Sequence, residues 1–217
     1  MDVASEPLGE DIGVSEPTTG ITMAEWRGKA RDYLDELMTL EGRRGYKSGI
    51  CMECGEQGGI SYRCRDCFTG ELLCKTCLVD RHATRPFDGV EVWNGTHFER
   101  TTLKKLGLVV QLGHKAPEKC RCPKLARDGF AVVDIDSIQE VSISYCQCQD
   151  PSIVGDHWQQ LLRRELYPGP VEEPYTAFTF RVLALFHALT LRGKLTMYDF
   201  YYALSGRTDI TGTKGIK

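Results

Sequence analysis

The ten cysteines constrain this chain more than anything else in it. All of them fall between Cys51 and Cys148 of a 217-residue sequence, and all come in pairs. Cys51/Cys54, Cys64/Cys67 and Cys74/Cys77 are C-x2-C pairs, while Cys120/Cys122 and Cys146/Cys148 are C-x-C pairs. An even count is compatible with disulfides. The first residues, Met-Asp-Val-Ala-Ser-Glu, contain no basic region followed by an apolar run, so no secretory signal is expected and the thiols should stay reduced. Clustered reduced pairs read as metal ligands. The most apolar stretches, residues 106–112 and 182–189, fall far short of the roughly 18 residues of a membrane span. Asp2 stands where N-myristoylation needs glycine.

A C-x2-C pair sets two sulfurs on a tight knuckle from which both can reach one zinc at about 2.3 Å with tetrahedral angles. One pair is half a site, so three pairs with nearby His82 and Asp88 make two. The linkers between the pairs, nine residues and then six, suit a cross-braced arrangement in which the first and third pairs share an ion. Cys51, Cys54, Cys74 and Cys77 form that site. Cys64, Cys67, His82 and a fourth group form the other. Sites closed by four protein ligands are structural, and each adds folding free energy. The hydrophobic core of residues 50–150 is expected to be thin, with the metals supplying the missing stability.

Around this centre the sequence predicts an α+β chain: a small zinc-stabilised, cross-braced, β-rich module between an N-terminal helix and a C-terminal helical segment. Residues 1–21 are acidic and interrupted by Pro7 and Pro17, and read as a disordered tail. Over 22–48 an amphipathic helix is expected, because Trp26, Ala30, Tyr33, Leu34, Leu37 and Leu40 form one apolar stripe before Gly42 and Gly45. Its plainest role is to dock over part of the core. Residues 49–150 are the cysteine-cluster domain, with strands expected near 90–93 and 108–112. A hairpin of 130–133 with 141–145 is expected to turn near Asp134 to Ser137. Residues 151–210 read as a helical extension: a short helix over 157–166, a proline-rich connector, a long helix from Thr176 or just after it to Leu191, and a third over 194–204. Residues 211–217 read as a tail.

Catalytic patterns are missing. The H-E-x-x-H string is absent. His97-Phe-Glu99 supplies half of a zinc-deaminase signature, but no P-C-x-x-C follows it. Asp156, Glu165, Glu172, Glu173, Asp199 and Asp209 form no constellation and read as solvated surface. The chain is not expected to be an enzyme.

Particular strings resemble known families. Gly-Ile-Ser-Tyr-Arg-Cys-Arg-Asp-Cys67, followed by Glu-Leu-Leu-Cys-Lys-Thr-Cys77, is similar to a ZZ-type zinc finger. A longer resemblance is to the CxC-type cysteine-cluster domain that accompanies KDZ (Kyakuja-Dileera-Zisupton) transposases. It takes in the C-x2-C pairs, His82, Trp93-Asn-Gly-Thr-His-Phe98, Leu106-Gly-Leu-Val-Val-Gln-Leu-Gly-His114 and Tyr145-Cys-Gln-Cys148. It continues through Gln160-Leu-Leu, Tyr167-Pro168, Thr176-Ala-Phe-Thr-Phe180, Gly193-Lys194 and Tyr198-Asp-Phe-Tyr201. The resemblance implies a third metal site of His114, Cys120, Cys146 and Cys148, with Cys122 competing for the place of Cys120 and family register favouring Cys120. The alternative is that these four cysteines are reduced thiols in a strand pair. Where the family has a second histidine six positions after the first, this chain has Asp88. A carboxylate can bind zinc at about 2.0–2.2 Å, and a water or His97 are the other candidates for that position. The family's Asn-Gly turn is replaced by Asp136-Ser137, so a different or strained turn is expected. The transposase chemistry of the family resides in a separate downstream domain, which this chain is expected to lack.

The net charge of −3 is dominated by six acids and no base in residues 1–25, leaving +3 for the rest. Arg43, Arg44, Lys47, Lys104, Lys105, Arg163, Arg164, Arg181, Arg192 and Lys194 are local bases, a footprint weaker than that of an autonomous DNA binder. The resemblance makes transposon-end DNA, or a KDZ-type catalytic chain, the expected partner, in the nucleus. A ZZ-like module would instead recognise a peptide or histone tail through Asp66, Glu53 or Glu56. A RING ligase is disfavoured because the last ligand pair is His82 and Asp88. Neither a membrane nor a small-molecule substrate is expected.

Overall fold

The structure is a computed structural model that describes residues 23–209 apart from 47–48, 60, 115–117 and 149–150. The tails expected at 1–21 and 211–217 lie outside the described residues. The chain divides into two units, residues 1–45 and 46–217. In the first, helix α1 (Met23–Glu41) occupies the predicted amphipathic stretch. Arg44 and Gly45, both with positive φ, turn the chain after it.

The second unit is built on three small sheets. Strands β1 (Tyr62–Cys64), β2 (Val90–Trp93) and β3 (Phe98–Thr101) form an antiparallel sheet in that order. Helix α2 (Lys75–Arg81) lies between β1 and β2 in the chain. Tyr62, Leu73, Leu78, Val90, Leu103, Leu106 and Leu108 bury one core with Cys51 and Cys64. The cysteines are part of this core, and a second cluster around Leu112, Phe130, Val132, Ile143 and Tyr145 is buried further along the chain. The second sheet, β4 (Val109–Gln111), β8 (Ser142–Cys146) and β5 (Pro123–Leu125), has β8 in the middle, parallel to β4 and antiparallel to β5. The third runs β7 (Ile138–Glu140), β6 (Ala131–Val133), β10 (Thr176–Thr179), β9 (Leu166–Pro168). Four helices complete the chain: α3 (Pro151–Val154), α4 (His157–Leu162), α5 (Phe180–Gly193) and α6 (Met197–Thr208). Among the described residues no helix is long and apolar enough to cross a membrane.

Three expectations are corrected. The hairpin turns at the predicted place, with the Asp134 N–H donating to the Ser137 carbonyl at 2.9 Å, but β6 pairs with β7 rather than with 141–145. The chain leaves that sheet at Val141 and becomes the buried middle strand of the neighbouring one. With Asp136-Ser137 in place of Asn-Gly, none of the turn residues has a positive φ, so the turn is of another type. The helix expected over 157–166 stops at Leu162, because Glu165 takes a left-handed conformation (φ 57°) that redirects the chain into β9. The helix expected from Thr176 begins at Phe180, where Thr179 is the N-cap and accepts the Val182 N–H. Residues 176–179 instead form β10, held between β6 and β9 with Ala177 fully buried. The helical extension therefore contributes two strands to a sheet whose other half lies before residue 150.

Asp134, at the end of β6, fixes this junction. Its side chain is buried and accepts hydrogen bonds from the Thr179 hydroxyl (2.7 Å) and from Arg181 Nε (2.6 Å) and Nη2. At the other end of the α5–α6 pair, Arg100 of β3 donates to the Arg207 and Thr208 carbonyls (2.8 and 3.0 Å), satisfying the C-terminus of α6. Replacing Arg181 by Met leaves the Asp134 carboxylate buried with one hydroxyl donor. A stability loss of about 1–3 kcal/mol is expected, moderated by the half-exposed position of the guanidinium. Asp134→Asn keeps the Thr179 bond and should cost less. Urea unfolding of the two variants checks the order, and equal midpoints contradict it.

Candidate metal centres

Cys51 begins a tight loop in which the Gly55 N–H returns to the Cys51 carbonyl (2.9 Å) and the Cys51 N–H donates to the Glu56 carbonyl (3.0 Å). Cys54 is thereby turned back toward the third pair. Cys74 is the N-cap of α2 and Cys77 lies in its first turn. Cys64 ends β1, Cys67 follows the next turn, His82 is the C-cap of α2, and Asp88 precedes β2. A seven-residue helix, about 10 Å long, thus carries donors of one group at its start and a donor of the next at its end. Tyr62 and Leu73 exchange both backbone hydrogen bonds at 2.9 Å, which interleaves the two groups.

The structure brings together three groups of four, each with its donor atoms within 4.8 Å of one another: Cys51, Cys54, Cys74 and Cys77; Cys64, Cys67, His82 and Asp88; His114, Cys120, Cys146 and Cys148. These groups could hold metal ions. Tetrahedral zinc with bonds of about 2.3 Å to sulfur and 2.0–2.1 Å to nitrogen or oxygen sets ligand atoms about 3.3–3.8 Å apart. Cys54 and Cys74 sulfurs are 3.9 Å apart, Cys64 Sγ is 3.7 Å from Asp88 Oδ2, and Cys67 Sγ is 3.4 Å from His82 Nε2. In the third group His114 Nε2 lies 3.1 Å from Cys146 Sγ, and Cys120 and Cys148 sulfurs are 3.2 Å apart. Those S–S separations are far beyond the roughly 2.05 Å of a disulfide, and all ten cysteines are free.

The surroundings match donors prepared for a cation. His82 is fully buried, and its Nδ1 stands 2.7 Å from the Leu78 carbonyl, which can only accept. Nδ1 therefore carries the proton, and the Nε2 lone pair is left facing Cys67 and Asp88. Cys64 Sγ accepts the N–H groups of Asp66 and Cys67 (3.3 and 3.2 Å), and Cys51 Sγ accepts that of Cys74 (3.2 Å). Arg85 sits beside the second group, 2.9 Å from Asp88. Burial pushes the Cys64 thiol up to about 12 and Cys146 up to about 11. Burial also works against Cys51, but the N–H groups of Cys54, Cys74 and Glu53 outweigh it and bring that thiol down to about 6. In the first group the Cys51 thiol is held down while Cys77 is pushed up, and in the third Cys148 is held down while Cys146 is pushed up, because thiolates this close repel without a cation between them.

Two open alternatives of the sequence meet a definite geometry. Asp88 joins the second group, while His97 lies on the β2–β3 turn, exposed, among Asn94, Thr96 and Glu99. Cys120 joins the third group, whereas Cys122 is exposed and offers its backbone N–H to Cys148 Sγ at 3.3 Å.

The third group depends on residues whose positioning role sequence reasoning missed. The Gln111 side chain accepts the Cys120 N–H and donates to the Glu118 carbonyl, both at 2.7 Å, pinning that loop. Gly113 has φ +81°, and a Cβ there would stand 2.5 Å from Cys146 Cβ, so only glycine fits beside this cysteine. Buried Gln160, on α4, accepts the Cys146 N–H (2.9 Å) and donates to the carbonyls of Cys146 (3.1 Å) and Gly155 (3.0 Å). The Gln160-Leu-Leu string was visible in the sequence, but what the amide binds was not. Gln160→Leu conserves bulk and strands both polar groups of Cys146. A loss of about 1–3 kcal/mol is expected, together with weaker metal retention by the third group alone. Unfolding by urea and a timed chelator challenge measure the two.

Residues 103–212 match the family described as a CxC2-like cysteine cluster associated with KDZ transposases. The match contains the third donor group with strands β4 to β10 and helices α3 to α6; the first two groups and the ZZ-like strings precede it. No curated protein and no solved structure matches the chain. With just over half of its sequence inside that match and a complete Cys–His donor group within it, the chain belongs to the family of CxC2-like cysteine clusters associated with KDZ transposases.

Proposed function

We propose that this chain is a non-catalytic, zinc-braced module that works with a KDZ-type transposase in the nucleus, contributing to the binding of transposon-end DNA or to assembly with the catalytic chain. One observation carries the reading: each donor group has four protein donors and so no open position. A metal held by four protein ligands braces a fold, whereas catalysis needs a position for water or substrate. The three groups would hold three zinc ions, each adding on the order of 10 kcal/mol of apparent folding free energy.

The surface favours a nucleic-acid partner over a peptide. Lys119, Arg121, Lys124 and Arg127 are exposed along the loop and edge strand that carry Cys120. None of the four is in an ion pair with the described residues. By contrast Lys104 is held by Asp128 and Glu140, and Arg181 by Asp134. Of the acids a ZZ-like peptide site would use, Asp66 accepts the Gly89 N–H at 2.6 Å and Glu53 pairs with Arg81 at 3.0 Å.

Metal analysis of the purified chain should return three zinc ions, and fewer than two overturns the reading. Cys120→Ser should lose one ion and Cys122→Ser none. In gel shifts against double-stranded transposon-end DNA, affinity should fall steeply with salt. Arg121→Ala with Lys124→Ala should flatten the log–log salt slope by about 2, near one per lost phosphate contact. An affinity indifferent to salt favours the peptide reading.

A further inference from the structure

Three of the four donors in the second group are fixed by their own surroundings. The N–H groups of Asp66 and Cys67 point at Cys64 Sγ, which shapes the knuckle that carries Cys64 and Cys67. The His82 ring is held by the Leu78 carbonyl. Asp88 is held differently. It lies in the stretch between α2 and β2, where its N–H reaches the Arg85 carbonyl at a long 3.4 Å. Its Oδ2 faces His82 Nε2 at 3.5 Å and Cys64 Sγ at 3.7 Å, and also Arg85 Nη2 at 2.9 Å. The oxygen that would meet a metal is thus shared with a guanidinium, so a small shift of this stretch decides which cation it serves.

The backbone is clamped on both sides of Asp88, from different parts of the fold. After it, Gly89 donates its N–H to Asp66 Oδ2 (2.6 Å) and accepts that of Arg65 (2.8 Å), which ties it to the knuckle of its own donor group. Before it, the Phe87 carbonyl accepts Gln139 Nε2 at 2.8 Å, across 52 residues of sequence. The Phe87 ring packs against the core cluster that contains Leu112, Phe130 and Val132. Gln139 Nε2 also donates to Ser137 Oγ (2.7 Å), so both amide hydrogens are engaged and the side chain has one orientation. Its strand, β7, is anchored by pairing with β6 and by the Ile138 N–H, which donates to Thr208 Oγ1 of α6 at 2.8 Å. We infer that Gln139 is a positioning residue for the second metal centre: through the Phe87 carbonyl, the third sheet keeps Asp88 Oδ2 within reach of Cys64 and His82 while Arg85 shares it. The second centre is then completed from inside the segment that matches the family, and does not behave as an independent finger. The inference rests on the metal-bracing reading given above.

Gln139→Leu keeps the bulk and removes both donors. N-ethylmaleimide labelling of the full, zinc-loaded chain during a timed chelator challenge, mapped by peptide mass spectrometry, reads each centre separately. In Gln139→Leu, Cys64 and Cys67 should be labelled about tenfold faster than in the wild type, the lower end of what losing a supporting hydrogen bond costs at a metal ligand. Cys120, Cys146 and Cys148 should keep their wild-type rates. Gln160→Leu should do the reverse, exposing the third group and sparing Cys64 and Cys67. A role in general stability would not give that crossing of effects, because it loosens both centres together. Gln139→Asn, which shortens the reach and stays polar, should shift Cys64 and Cys67 in the same direction and supplies the test where Gln139→Leu does not fold. Wild-type rates at Cys64 and Cys67 in a folded variant overturn the inference, and so does equal acceleration at the second and third groups. A wild type that binds fewer than two zinc ions fails earlier, at the bracing reading itself.

Discussion

Sulfur, nitrogen and carboxylate donors crowded within 4.8 Å of one another are a constraint before they are a site. Thiolates at such distances repel, and burial penalises their charged form further. Neutral thiols, in turn, make only weak hydrogen bonds across the same gap. A divalent cation would resolve the conflict, and the surroundings of the donors suit one. Backbone N–H groups point at the sulfurs, a carbonyl fixes the His82 tautomer, and Arg85 balances Asp88.

The groups differ in how they are held. The first two share α2 and the Tyr62–Leu73 bridge, so displacing one disturbs the other. The third relies on glutamine side chains and on a glycine that lets Cys146 approach the chain beside His114. These are polar, directional supports in a buried setting, where an unmatched group costs more than a matched one contributes. The Asp134–Arg181–Thr179 contact does comparable work between β6 and the start of α5.

Much of this was legible in the sequence, for local reasons. C-x2-C spacing with alternating linkers leads directly to interleaved groups, and the stripe from Trp26 to Leu40 to a helix. The third group needed the family resemblance, because its donors lie on three separate strand ends spread over residues 114–148. What could not be read were the long-range pairings. Nothing near Thr176 announces that β6, 45 residues earlier in register, will claim it as a strand, and helix propensity there is overridden by burial of Ala177. The same distance hid the partner of each base: Lys104 and Arg181 look free in a list of residues and are engaged in the fold. The exposed run from Lys119 to Arg127 only gains meaning once it is seen to border the third group.

The position of β10 has a further consequence for how the chain is made. All donors of the first two groups lie within residues 51–88 and can find one another while the rest of the nascent chain is still being synthesised. Strand β6 must wait for β10. Until it arrives, β6 is paired only with β7 and presents an open, apolar edge of the kind that recruits other chains. A product that terminates before residue 176 would keep the residues of all three donor groups and yet carry that edge permanently, so its hazard would be association rather than loss of metal.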